Sequence, residues 1–122
     1  MLVAFFIVLL VNHGSFGGSR ALQNQERTSL MSEKQFNQAR GFYKQSCARC
    51  HGADGRGETT KGQILGATDL TKAEWQERVD DTRLINSITH GRGEMPSFEK
   101  KFTSNQIKLL AAYVRTLKTK TK

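Results

Sequence analysis

Two thiols and an imidazole stand within five residues, Cys47-Ala48-Arg49-Cys50-His51. At this spacing two cysteines can bond both vinyl groups of one haem, and a histidine directly after the second can reach the iron beneath the ring. Other chemistries use parts of the pattern. A zinc site takes about four N or S ligands, yet Cys47 and Cys50 are the only cysteines, and His13 and His90 are the only other histidines. A thioredoxin-like redox pair belongs in a βαβ setting, which this glycine-rich chain with few strand signals does not offer. A plain disulfide leaves His51 without a role. Covalent haem accounts for Cys47, Cys50 and His51 together, with His51 as an axial iron ligand.

A second axial ligand must come from elsewhere. Gly91-Arg92-Gly93-Glu94-Met95-Pro96 holds the only proline, and Pro96 restrains the residue before it to an extended backbone. A methionine is more often core filler than ligand. With a haem site already argued, Met95 in a rigid turn far along the chain from His51 becomes the expected sixth ligand. His90 is the competitor, but in the last turn of a helix it suits the negative end of the dipole. His/Met ligation raises the reduction potential of haem iron and closes the iron to added ligands.

Helices are needed to position these groups. Ser32-Glu33-Lys34-Gln35 reads as a capping box, and Phe36, Ala39 and Tyr43 follow on one helical face running into Cys47. Gly52-Ala53-Asp54-Gly55-Arg56-Gly57 reads as a loop under the haem edge. It neither follows a strand nor carries the dinucleotide spacing that a phosphate cradle requires. Gly62 and Gly66 extend the irregular stretch to about Leu70, after which Thr71 is expected to cap a short helical piece holding Trp75. Asp81 begins another helix, with Leu84, Ile85 and Ile88 on one face and Gly91 ending it in the left-handed conformation. The last helix is the most fully specified. Thr103-Ser104-Asn105-Gln106 repeats the capping box, Phe102 and Ile107 form a hydrophobic staple, and Ile107, Leu110, Ala111, Val114 and Leu117 make the apolar stripe. The face carrying Phe36, Ala39 and Tyr43 is its mate, and Lys118, Lys120 and Lys122 form a basic tail.

The 122 residues, 37% of them hydrophobic, allow one small domain. The apolar run from Met1 to Val11 is shorter than the roughly 20 residues of a membrane-spanning helix and reads as a secretory signal core that lacks its basic flank. Cleavage is expected after Ala21, giving a signal peptide over 1–21, a polar arm over 22–31 and a folded domain over 32–122. An uncleaved anchor is the alternative. The net charge of +8 points to an acidic partner, and no basic stretch interleaved with aromatics argues for nucleic acid.

From Ser32 to Leu117 the chain resembles the class I cytochrome c family, most closely its small bacterial monohaem members. Tyr43 four residues before Cys47, the Cys47-Ala48-Arg49-Cys50-His51-Gly52 motif, the Gly91 to Pro96 loop and the terminal Ala112-Tyr113-Val114 helix carry the likeness. The resemblance implies an all-α fold of three main helices around one covalently bound haem c, the first and last crossing near Ala39 and Tyr113. Two departures stand out. Ala39 replaces the glycine frequent at that crossing, and Gly62-Gln63 replaces the Gly-Pro whose carbonyl orients the proximal imidazole in many members.

The expectation is therefore an exported or periplasmic electron carrier, not an enzyme, monomeric and docking redox proteins with acidic surfaces. Membrane association would come only through a partner or an uncleaved N-terminus. A haem subunit of a larger dehydrogenase or oxidase complex is the nearest alternative. A haem enzyme or gas sensor with a displaceable sixth ligand is the third.

Overall fold

A computed structural model describes residues 31–119, which form six α-helices and, apart from an isolated Arg92–Met95 bridge, no β pairing. The long helices are α1 (Glu33–Ser46), α5 (Asp81–His90) and α6 (Ser104–Thr116), and the short ones α2 (Ala48–His51), α3 (Thr60–Leu65) and α4 (Ala73–Arg78). The apolar run at 1–11, the expected cleavage after Ala21, all of the arm but Met31, and Lys120 and Lys122 lie outside the described residues. None of the described helices is long and apolar enough to cross a membrane.

Both capping boxes form. Ser32 accepts from the Gln35 amide and Thr103 from the Gln106 amide, while each glutamine reaches back to the cap's own N–H. Each cap is worth about 1 kcal/mol, because it satisfies amides that a helix start leaves without partners. Helix α6 packs against both α1 and α5. At its crossing with α1, Ala39 is fully buried, and the Tyr43 and Phe36 rings lie 5.1 Å and 5.4 Å from that of Tyr113. Alanine thus remains small enough for the contact. Phe102 and Ile107 are buried in the same core as Leu110 and Val114.

Three expectations are corrected. The stretch after Gly57 is not wholly irregular, because Thr59 caps α3 through the Gly62 amide and Gly66 ends it in the left-handed conformation. A glycine within a helix weakens the signal of periodicity, which conceals an element held by packing. Helix α4 is preceded by Lys72 with no side-chain cap, not by Thr71. The Thr71 hydroxyl instead donates to Asp69, and the Thr71 carbonyl accepts from the amide and hydroxyl of Thr119. Gly91 has φ 81° but ψ 172°, so it is not left-handed helical. It lets the chain double back, since a Cβ there would stand 2.6 Å from the Met95 carbonyl oxygen.

A buried lock closes the segment between α3 and α5. The Arg115 side chain, 7% exposed, donates to Asp81 at 2.9 Å, to the Gln76 carbonyl and side chain, and to the Val79 carbonyl. The Gln76 amide in turn donates to the carbonyls of Leu70 and Val114. The carbonyls of Leu70, Gln76 and Val79 and the Asp81 carboxylate thereby gain partners, which allows this segment to form the wall of a cavity.

Candidate haem site

The helix crossing delivers α2 to the mouth of a cavity of roughly 380 Å³, whose lining includes Cys47, His51 and Met95. Cys47 ends α1 and begins α2, its amide bonded to the Tyr43 carbonyl. Cys50 is half-buried on α2 and is not among the lining residues. Both thiols are free, and no group of three or more His, Cys, Asp or Glu side chains among the described residues is placed to hold a metal ion. Burial pushes the Cys47 thiol up to about 11, with Lys101 opposing and Cys50 adding to the rise. It is therefore protonated at neutral pH, unlike the low-pKa thiolate of a redox-active pair.

Two contacts fix the histidine. The Tyr43 hydroxyl, held in its protonated form chiefly by burial, donates to the Gly52 carbonyl at 2.9 Å and pins the backbone directly after His51. The His51 Nδ1 lies 3.1 Å from the Thr68 carbonyl oxygen. A carbonyl can only accept, so Nδ1 carries the proton and Nε2 keeps a free lone pair. Burial also lowers the pKa of His51, although the Thr68 bond works against it, which keeps the ring neutral. That is the state in which imidazole binds a metal, oriented from behind by its other nitrogen.

A carbonyl in the region after the Cys47 to His51 motif was expected to accept from the ring, and it is that of Thr68, which the sequence did not single out. Gly62 does something else. A Cβ on it would overlap the carbonyl oxygens of Cys50 and Gly57, so only glycine lets α3 lie directly on α2. The chain then turns at Gly66 and runs back to bring Thr68 behind the ring. The signal available was Gly66, a helix stop placed two residues before the acceptor.

Met95 reaches the same cavity from the far end of α5. The Arg92 and Met95 amides and carbonyls exchange two bonds of 3.0 Å, folding the loop into a tight reversal before Pro96. His90 stays outside. Its side chain is 64% exposed, Nδ1 lies 2.9 Å from Asn86 Oδ1, and Nε2 faces Glu99 at 3.9 Å. The rest of the cavity wall is chiefly apolar, with Leu70, Val79, Leu84, Ile88 and Leu110 among its residues. Free thiol, neutral imidazole, thioether and apolar walls suit haem in both shape and donor chemistry.

Comparison with known proteins agrees with this geometry. The family described as "Cytochrome C oxidase, cbb3-type, subunit III" matches residues 34–114. The CcoP subunit of the cbb3-type cytochrome c oxidase of Azospirillum brasilense is 38% identical over 76 residues, covering 62% of this chain but 26% of that protein. The FixP subunit of Bradyrhizobium diazoefficiens is 34% identical over 93 residues, covering 74% and 31%. The chain thus spans about a quarter to a third of the length of these oxidase subunits. Cytochrome c6 of Leptolyngbya boryana is 35% identical over 71 residues, covering 57% of this chain and 76% of that one. Among solved structures, the KustC0563 c-type cytochrome is 38% identical with a TM-score of 0.63, covering 66% of this chain and 98% of its own. A helical fold, a Cys-x-x-Cys-His segment beside the cavity and a family match over most of the described residues lead to one conclusion: the chain belongs to the cytochrome c family of the cbb3-type subunit III group, a domain type that carries covalent haem c.

Proposed function

We propose that Cys47 and Cys50 bind the haem through thioethers, that His51 Nε2 and the Met95 sulfur are the axial ligands, and that the domain passes single electrons between protein partners without itself being an enzyme. The observation that carries this reading is the convergence of Cys47, His51 and Met95 on one cavity, with the His51 Nδ1 proton directed to Thr68. Haem, when bound, supplies the Fe(II)/Fe(III) couple. The residues do the rest. The apolar wall excludes water, Thr68 orients the imidazole, and the Arg92–Met95 turn presents the thioether. Haem retained on the denatured polypeptide, with its mass on the peptide containing Cys47 and Cys50, tests attachment. Loss of haem to acid-acetone overturns it. Met95→Ala should abolish the near-infrared sulfur-to-iron band and admit carbon monoxide. Rapid carbon monoxide binding by the wild type would favour a sensor or haem enzyme instead.

The basic surface serves docking in this reading. Arg49, Arg92, Lys100 and Lys101 are all exposed, and Lys101 lies near enough to Cys47 to act on its thiol. Acidic partners would be steered to that edge, and the effect should fade as the Debye length falls from about 8 Å at physiological salt to about 3 Å at 1 M. An electron-transfer rate to an acidic partner that stays flat with salt, or is unchanged when these four charges are reversed, would remove the proposal. Export to the periplasm and a monomeric state complete it. A second reading, a haem domain working within a larger oxidase assembly, is favoured by the matches to CcoP and FixP. Co-purification from native membranes separates the two.

A further inference from the structure

The Thr68 carbonyl, on which the orientation of His51 depends, lies in no helix. It stands between Leu65, the last residue of α3, and Ala73, the first of α4. A hydrogen bond keeps its strength only while donor and acceptor hold their distance and angle, so what fixes this carbonyl is the bonding of its neighbours. Upstream, the Ala67 amide donates to the Gly62 carbonyl at 2.8 Å, and Gly57 lies so close to Ala67 that a Cβ would stand 2.7 Å from its carbonyl oxygen. Downstream there are three tethers. The Leu70 amide donates to the Gly55 carbonyl at 2.8 Å, the Leu70 carbonyl accepts from Gln76 Nε2 at 2.7 Å, and the Thr71 carbonyl accepts from the Thr119 amide and hydroxyl at 2.9 Å and 3.0 Å.

Two of these tethers lead to the C-terminal end of α6. Gln76 is 2% exposed, and its side-chain amide has one orientation that satisfies its neighbours. Arg115 can only donate, so it takes the oxygen at 2.8 Å, and the nitrogen faces the carbonyls of Leu70 and Val114, which can only accept. Thr119 follows just beyond α6, and Leu117 covers Gly55 from the same end, where a Cβ on the glycine would stand 2.9 Å from a Leu117 methyl carbon. We infer that Gln76 and Thr119 are positioning residues for the axial histidine: they tie the Leu70 and Thr71 carbonyls to the end of α6, hold the Thr68 carbonyl against His51 Nδ1, and so set the reduction potential of the iron. The inference deepens the haem reading proposed above and rests on it. A carbonyl that accepts from the far nitrogen of an imidazole makes it a more basic ligand. That favours Fe(III), so a firm Thr68 bond holds the potential down. Neither Gln76 nor Thr119 lines the cavity, and each acts only through the segment it holds.

The test uses full-length, isotope-labelled protein carrying covalent haem, and follows the His51 Nδ1 proton by NMR in the reduced state alongside the reduction potential. Gln76→Met keeps the side chain's length and removes its donors. Thr119→Pro removes the amide hydrogen and the hydroxyl together. In each variant the proton should shift upfield and exchange with solvent roughly fivefold faster, the ordinary weight of one hydrogen bond, and the potential should rise. Thr119→Ser, which keeps both donors, and Glu77→Gln, which breaks only the neighbouring pair with Lys118, should match wild type. General loosening of the fold would instead admit water, favour the more highly charged Fe(III) and lower the potential, so the sign separates positioning from mere support. If Gln76→Met fails to fold, Thr119→Pro decides alone. An unmoved proton in Thr119→Pro, or a potential that falls in either folded variant, overturns this assignment and leaves the haem reading standing. A wild-type chain isolated without covalent haem overturns the haem reading and the assignment with it.

Discussion

The two faces of the haem cavity are built to different standards. On the His51 side the backbone around the ring is held by many bonds. The Cys50 and His51 amides return to Cys47, the Gly57 amide donates to the His51 carbonyl at 2.7 Å, and the Thr59 hydroxyl reaches the Arg49 and Cys50 carbonyls. On the Met95 side, two bonds to Arg92 hold the turn itself. The chain is next anchored at Ser97, whose hydroxyl donates to the Thr89 carbonyl, and at Phe98, whose amide meets Ile88 and Thr89. The imidazole is thus preorganised by three segments, α2, α3 and the Thr68 turn, and the thioether by one loop. Local opening follows the weaker set of bonds, so the Met95 side should yield first under heat or denaturant.

The largest effect that separates the faces is expected at Gly62. In Gly62→Ala the new methyl meets backbone on α2, which cannot rotate away, so destabilisation should reach about 3 kcal/mol, the upper part of the overpacking range. Urea unfolding of the haem-loaded protein measures it, and an unchanged midpoint would mean that α3 does not bear on α2. Next comes Gly91→Ala, where φ 81° with ψ 172° is a conformation nearly confined to glycine and costs a residue with a side chain about 1–3 kcal/mol, and the methyl also presses on the Met95 carbonyl. Here the near-infrared sulfur band should be lost well before the global unfolding midpoint is reached. Coincident loss of both in this variant would show that the two faces open as one.

Met95→Ala should alter global stability less than Gly62→Ala while changing ligand binding more, a contrast read by pairing urea titration with carbon monoxide uptake. The smallest expected effect lies in the turn behind the histidine. Burial alone would raise the Asp69 carboxyl, but the Thr71 hydroxyl and amide, with Lys72 and Arg56, outweigh it and hold the group below the usual carboxylate range. A depressed folded-state value contributes stability above the ordinary carboxylate pKa and loses it as pH falls through the folded value. Asp69→Asn should therefore cost about 1 kcal/mol or less at neutral pH, for a half-buried group with local bonds, and flatten the acid limb of a stability–pH profile below about pH 4. An unaltered acid limb would release Asp69 from any part in holding the Thr68 turn.

What the sequence by itself determined is what depends on local spacing. The capping boxes at Ser32 and Thr103, the apolar stripe of α6, and the placement of Cys47, Cys50 and His51 on one short turn follow from residues three or four apart, because a helix brings such neighbours together whatever surrounds them. That Met95 would stand in a rigid turn was legible because Pro96 constrains the residue before it. Tertiary structure decided the rest. Helix α3 escaped notice because packing against α2, not periodicity, requires its glycine. The Thr68 carbonyl was hidden because a backbone acceptor carries no side-chain signature. That Val79 and Leu84 face one cavity depends on Arg115, far along the chain, drawing Asp81, Gln76 and Val79 together. Which distant groups meet is set by the packing of whole elements, a free energy summed over many weak contacts that no short stretch of sequence contains.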